Sequence, residues 1–151
     1  MQIVTTDPTK QKEKENKIMA KKAENNSNYK ATISYCSKEL DARERIRTKD
    51  VSDAVKLDDA TQDVPFIEID VDYYAVLDIH NEKSDTTDYK NYIVISEDGT
   101  KYVTGSESFY KSFIDIVEEL ADDGITEFTI KVFRHDSKNY AGKQFITCAL
   151  A

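Results

Sequence analysis

Hydrophobic and polar residues alternate along much of the chain, and this pattern predicts a mainly β protein. One alternating stretch covers residues 29–35 and a longer one covers 66–79. A period of two is typical of strands that bury one face. The pair Tyr73-Tyr74 interrupts the longer stretch, which predicts a bulge or bend there. The residues expected to share its buried face are Ile67, Ile69, Val71 and Tyr73.

The second half of the chain adds a hairpin and a helix. Asp98-Gly99 lies between two alternating segments, which is the strongest short-range signal for a β-hairpin. Apolar residues then recur at helical spacing over residues 109–120, and they predict one helix with a single apolar stripe. Ser106 or Ser108 is expected to cap its N-terminus, and Gly124 is a suitable C-terminal stop.

Two closing strands, at 128–132 and 145–150, are joined by a turn at 137–142. By contrast, the segment 37–64 is polar, with only a weak strand candidate at 51–57, and is expected to be a long loop. The resulting order, five to seven strands with one helix between them, favours an OB-fold-like small Greek-key barrel. An open α+β sheet with one packed helix fits the same pattern and stays an alternative.

Residues 28–151 are expected to form a single OB-like domain, because a chain of this length can bury a core without disulfides. Residues 1–27 show no hydrophobic period and are mostly polar, so we interpret them as a disordered tail. A translated leader is the alternative, since Met19-Ala20 resembles an ordinary protein start. Cys36 and Cys148 lack the paired spacing of metal or redox motifs, and both are expected to be buried.

Charge is distributed in blocks along the chain. The net charge is −8, yet the residues before 131 sum to −11, from 17 basic and 28 acidic residues. The stretch 50–127 alone holds 21 acids and 5 lysines. The segments 38–49 and 131–143 are basic instead, with 5 basic to 3 acidic and 4 basic to 1 acidic residues. This asymmetry indicates two faces of different electrostatic character, one of which suits a polyanion.

The segment 131–145 combines cations with aromatic rings. Cations follow a phosphate backbone and flat rings stack on bases, so this mixture suits a surface that binds single-stranded nucleic acid. A hairpin whose solvent face is merely basic is the alternative interpretation. The predicted binding residues within the segment are Lys131, Phe133, Arg134, His135, Lys138, Tyr140 and Lys143. Those predicted elsewhere are Tyr73, Tyr74, Tyr92, Tyr102, Arg45 and Arg47.

Neither a catalytic site nor a metal or cofactor site is predicted, so an enzyme is not expected. His80 and His135 are the only histidines, and neither has a nearby Ser or Cys in the setting of a nucleophile. Asp70, Asp72 and Asp78 could gather a cation, but a solvated strand face explains them better. No P-loop or glycine-rich dinucleotide turn occurs. No apolar run approaches the roughly 20 residues of a membrane span, and an intracellular location is expected.

The order of elements over residues 90–150 resembles that of a known family. The features that carry the resemblance are the strand and turn at 93–102, the helix start Thr104-Gly105-Ser106, the strand at 127–132, the turn at 137–143 and the closing strand at 145–150. They are similar to the single-stranded-DNA-binding proteins of small protein-primed Bacillus phages. Residues 28–32 also resemble the beginning of those proteins, so the resemblance covers residues 28–150.

The resemblance implies a phage protein of the host cytoplasm that coats displaced single strands during DNA replication, without sequence preference. Phage or host replication proteins, and further copies of the chain along the DNA, are additional expected partners; a membrane is not. The chain departs from the family in its segment 37–64, its N-terminal extension and the Tyr73-Tyr74 pair, which affects the expected binding path. The acidic block 50–127 supports a rival hypothesis, an acidic DNA mimic that occupies a host nucleic-acid-binding protein.

Overall fold

A computed structural model of the protein describes residues 29–139 and 141–151, so the predicted N-terminal tail lies outside the described residues. The described chain forms one curled half-barrel sheet, which confirms the prediction of a mainly β, OB-like small barrel. Its strands are β1 (Tyr29–Cys36), β2 (Val55–Lys56), β3 (Ile67–Asn81), β4 (Asp88–Ser96), β5 (Lys101–Thr104), β6 (Phe128–Asp136) and β7 (Gln144–Leu150). Its helices are α1 (Ala42–Lys49), α2 (Leu57–Ala60) and α3 (Glu107–Asp122).

β3 is the centre of the sheet, because it pairs with three other strands. β4 pairs antiparallel with most of its length, β6 pairs with residues 67–71, and β1 pairs with residues 75–81. The order of the sheet is β2-β5-β4-β3-β6-β7, with β1 also on β3. The predicted hairpin at Asp98-Gly99 joins β4 to β5. Among the strand pairs of the described residues, only the short contact between β2 and β5 is parallel.

A bulge in β3 changes the direction of its side chains, as the Tyr73-Tyr74 interruption predicted. The register between β3 and β4 shifts between Val71 and Tyr73. Val71 and Tyr74 therefore lie in one core cluster, whereas Tyr73 packs against a second cluster. The expectation that Tyr73 shares a face with Val71 was wrong, because one inserted residue reverses the alternation of the strand.

The two core clusters lie on opposite faces of the sheet. The first is covered by α2 and α3, and the second by α1 and the loop after it. Cys148 is buried in the first cluster, and Cys36 is half-buried against the second; both are free thiols. The buried members of the first cluster are Leu57, Ile69, Val71, Tyr74, Val94, Phe109, Phe113, Ile130, Val132, Ile146 and Cys148. Those of the second are Ala75, Leu77, Ile79, Ile93, Ile95 and Val103.

The segment 37–64 contains two helices, so the prediction of one long loop and of a single helix was wrong. α1 begins at a capping box, in which Asp41 accepts a 2.8 Å hydrogen bond from the Glu44 amide and the Asp41 amide donates to Glu44 at 3.1 Å. The helix has no apolar stripe that periodicity could detect. Its one large apolar residue, Ile46, is 64 % exposed, and the residue it buries fully is Thr48.

α3 agrees with the predicted helix and also covers the outer strand β7. Ser106 is the N-cap, and its hydroxyl accepts a 3.1 Å hydrogen bond from the Phe109 amide. The helix ends just before Gly124, whose φ of +73° permits the chain to turn away. The Ser108 hydroxyl donates to the Ile146 carbonyl at 2.9 Å. This contact occupies part of an edge that would otherwise be open to pairing with another strand.

Candidate nucleic-acid interface

The basic segment singled out in the sequence forms the β6–β7 hairpin at one margin of the sheet. Ile130 and Val132 on β6 are fully buried in the first core cluster. Because successive strand side chains alternate, Lys131, Phe133 and His135 face the opposite side. Their direct partners on β7 are Ala149, Thr147 and Phe145. We define the hairpin platform as Phe66, Lys131, Phe133, His135 and Phe145, where Phe66 just precedes β3.

The platform presents aromatic rings to solvent beside an ammonium group. The rings of His135 and Phe145 are 5.4 Å apart at an angle of 36°. Lys131 places its Nζ 4.6 Å from the ring centre of Phe66, a cation–π geometry. Phe66 is 43 % exposed and Phe145 is 38 % exposed. Such rings can stack on unpaired bases, since every base has a flat π face.

The site prediction omitted Phe66 and Phe145, although the sequence held a signal for both. Phe66 is an aromatic residue on the polar side of the alternating stretch 66–79. A large ring among acids on a solvent face indicates either a fold contact or a binding contact. Phe145 was recognised within the basic segment but was not assigned as a site residue. The pairing with His135 across the hairpin shows which face it occupies.

The turn of the hairpin adds further positive charge. Lys138 and Lys143 are both exposed there. Asp136, the only acid of the hairpin, accepts a 3.1 Å hydrogen bond from an amide side chain on β7. Gly142 adopts a φ of +79°, which closes the turn in a conformation that other residues rarely adopt. Tyr140, predicted to be the first stacking residue, lies outside the described residues.

Arg134 belongs to the fold rather than to the platform. It faces the side of the first core cluster, opposite Ile146 on β7. Its Nε donates to Thr61 Oγ1 at 3.3 Å, and its second guanidinium nitrogen donates to the Asp58 carbonyl at 2.5 Å. These contacts hold α2 and the residue after it against the sheet. The sequence predicted that Arg134 contacts phosphate, but in the structure its guanidinium already donates to two partners within the chain.

Two of the predicted stacking tyrosines are core residues. Tyr74 and Tyr92 are each only 6 % exposed. Tyr74 packs edge-on to Phe113 at 5.0 Å, and Tyr92 stacks on Tyr110 of α3 at 4.2 Å with the planes 8° apart. Burial raises the pKa of both phenols above the usual 10.0. Their prediction as base-stacking residues is corrected, because the faces of both rings are covered in this fold.

The other two described tyrosines of the prediction are half-buried. The Tyr73 hydroxyl shares a 3.0 Å hydrogen bond with Thr48 of α1, and Lys38 lies 5.2 Å from its ring centre. Tyr102 packs against the first core cluster, and burial raises the pKa of its phenol. Tyr73 therefore connects α1 to the sheet and Tyr102 packs on the core, and the structure brings neither ring to the platform.

Arg45 and Arg47 lie on α1, which packs against the second core cluster. The Arg45 guanidinium donates to the Leu40 carbonyl at 2.7 Å, and Arg47 donates to the Arg43 carbonyl at 3.4 Å. Both side chains are exposed. α1 contacts β1 and also Tyr73, near the later part of β3, whereas β6 pairs with the first part of β3. The two arginines form a basic surface of their own and are not part of the platform.

The acidic residues considered as cation ligands lie apart and have partners within the protein. Asp70, Asp72 and Asp78 are contacted by Thr129, Lys38 and Lys90, respectively. Over the described ranges, no group of three or more His, Cys, Asp or Glu residues lies close enough to hold a metal ion. His80 contacts two acids, Asp88 at 2.8 Å and Glu82 at 3.7 Å, and the hydrogen bond with Asp88 is the main reason that its pKa is raised.

Comparisons of the chain with protein-family models, with curated proteins and with solved structures find no match. Among the described helices, none has both the length and the apolar character needed to cross a membrane.

Proposed function

We propose that this protein binds single-stranded DNA without sequence preference, and that it coats displaced strands during phage DNA replication. The observation that carries the proposal is the hairpin platform, where exposed rings and lysines meet at one margin of an otherwise acidic protein. The resemblance over residues 28–150 supports the same function. The curled sheet supports it too, since OB-like barrels commonly present one face of the sheet to oligonucleotides.

The rings and the cations of the hairpin have different roles in the proposed binding. Phe66, Phe145 and His135 offer faces on which successive bases stack, at about 1–3 kcal/mol per base. Lys131 lies directly opposite Glu68 in the sheet register, so its charge is partly offset. Lys138, which is exposed on the turn, therefore contributes more of the attraction to phosphates. Because ring stacking requires an exposed base face, the platform favours single strands over duplex DNA.

A titration with fluorescent oligo-dT at low salt tests this function. We expect binding, and we expect Phe145→Leu to weaken it by about 1–3 kcal/mol, since leucine keeps the apolar contact and removes the ring. Tyr35→Leu is the matched control, because Tyr35 is also an exposed aromatic residue, at 53 %, on the distant strand β1. If oligo-dT does not bind, or if both variants weaken binding equally, the proposal fails.

A second candidate function rests on the outward face of α3. Its exposed acids are Glu107, Asp115, Glu118, Glu119 and Asp122. A regular row of carboxylates can mimic the phosphates of DNA and occupy a DNA-binding protein. A protein with this function would not bind oligo-dT, and Phe145→Leu would have no effect. It would instead compete with duplex DNA for a basic DNA-binding protein, and Asp115→Lys would abolish that competition.

A further inference from the structure

The outward face of α1 is basic and surrounds one exposed apolar residue. Thr48 is 1 % exposed and marks the inward side of the helix. Ile46 lies on the other side and is 64 % exposed. At 100° per residue, Arg43, Arg47 and Lys49 flank Ile46 on this outward side. An apolar side chain within a ring of cations is the composition of a contact surface for an acidic partner.

The outward face of α3 has the opposite charge. Phe109 and Phe113 are buried and mark the inward side of the helix. The exposed charged residues of the helix are Glu107, Lys111, Asp115, Glu118, Glu119 and Asp122, so five of the six are acidic. Just beyond the helix, Ile125 is 43 % exposed and provides an apolar group next to the acids. The charge on α3 is therefore opposite to that on α1, and each of the two surfaces also has one exposed apolar side chain.

The two helices of one chain lie on opposite faces of its sheet. Tyr73 and Tyr74 are neighbours on β3, yet Tyr73 bonds to Thr48 of α1 while Tyr74 packs on Phe113 of α3. The sheet thus separates the basic helix from the acidic helix. The complementary surfaces can meet only between two copies of the chain, and each copy then retains one free surface of each kind. When a contact between two different surfaces is repeated, the copies form an open chain, unless the rotation from one copy to the next closes them into a ring.

We propose that copies of this protein associate head to tail, with the basic face of α1 on one copy contacting the acidic face of α3 on the next. α1 has eight residues and is about 12 Å long at 1.5 Å per residue. The contact is therefore smaller than a standard interface and weak in isolation. Copies held side by side on one strand would have an effective concentration in the millimolar range, which would make the contact significant.

The test is sedimentation velocity of the DNA-free full chain at high concentration and low salt, with charge-reversal variants. Arg43→Glu with Arg47→Glu lowers the net charge from −8 to −12, because each change removes one positive charge and adds one negative charge. Asp115→Lys with Glu119→Lys raises the net charge from −8 to −4. The chain with all four changes returns to −8, and thermal melting of each variant verifies that it is folded.

We expect the wild type to associate in low salt and to dissociate in high salt. Each pair of reversals should weaken association about tenfold or more, since like charges then face each other. The fourfold variant should recover association, a result that misfolding cannot produce. Simple repulsion by net charge predicts instead that the −4 variant associates most strongly. That result, a monomeric wild type, or a fourfold variant that stays monomeric would overturn the proposal. None of these outcomes depends on whether the chain binds oligo-dT.

Discussion

Replacement of Arg134 by alanine separates the role that the sequence suggests from the role that the structure gives it. The sequence places Arg134 among the cations of the basic hairpin, where it would contact phosphate. In the structure its guanidinium donates to Thr61 and to the Asp58 carbonyl, which ties α2 to β6. α2 in turn positions Leu57, which is 0 % exposed in the first core cluster. The structural role predicts a loss of stability without a loss of DNA affinity.

The magnitude follows from the two contacts. A hydrogen bond from a charged donor contributes roughly 1.5–3 kcal/mol. The contact to Thr61 is long, at 3.3 Å, and the side chain is only half-buried, so the second contact adds little. We therefore expect Arg134→Ala to lower the free energy of unfolding by about 1.5–3 kcal/mol. Loss of a phosphate contact would instead reduce the slope of log affinity against log salt by about 0.7 for a single strand.

The assays are urea unfolding and oligo-dT titration over a salt series, both performed on Arg134→Ala and on Lys138→Ala. Lys138 is exposed on the turn of the same hairpin, so its replacement should reduce the salt slope and leave unfolding unchanged. Titrations are performed well below the unfolding midpoint, so that affinity refers to folded protein. A reduced salt slope for Arg134→Ala, with unchanged unfolding, would refute the structural role and restore the original interpretation.

Three further predictions concern stability. Phe113→Ala should cost roughly 3–5 kcal/mol in urea unfolding, because the ring is 1 % exposed and contacts Tyr74, Phe109 and Phe128; a loss below 1 kcal/mol would contradict this packing. Because the pKa of His80 is raised in the folded protein, its contribution to stability is present below the unfolded-state pKa of about 6.5 and is lost as pH rises through the folded-state pKa. The difference in unfolding free energy between the wild type and His80→Gln should therefore shrink with rising pH. A difference that stays constant with pH would contradict this prediction. Asp41→Ala should cost about 0.5–2 kcal/mol through the capping box of α1, and Asp41→Asn should restore most of it; equal loss in both variants would argue against the cap.

Elements with strong periodicity or specific turn residues were predictable from the sequence. β3 and its bulge, the Asp98-Gly99 hairpin and α3 with its Ser106 cap all occur as predicted. In each case the local preference for a strand, turn or helix cap and the packing in the folded protein favour the same residues. The hairpin of the predicted site was also placed correctly, because its two strands bury Ile130 and Ile146 in alternation.

Hydrophobic periodicity did not predict the helices in segment 37–64 or the direction of individual side chains. α1 is stabilised by its capping box and by Thr48, and neither produces an apolar period. Tyr suits both surfaces and cores, so its presence in the sequence does not show whether its ring is exposed. Only the packing of α3 shows that Tyr92 is covered by Tyr110. Arg134 differs from Lys131 in role because α2 contacts one side of β6 and not the other.

The proposed function requires an acidic protein to attract a polyanion, and the distribution of charge is compatible with this requirement. At physiological salt the Debye length is about 8 Å. The acids of α3 lie beyond the sheet from the hairpin platform, and a helix packed on a sheet is itself about 10 Å thick. Their repulsion of a strand on the platform is therefore largely screened, and only nearby charges matter. Glu68 opposes Lys131 near the open end of the hairpin, whereas Lys138 is exposed on the turn. Phosphates should consequently lie towards the turn, and bases should stack on Phe145 beside the turn and on Phe66 farther along the hairpin.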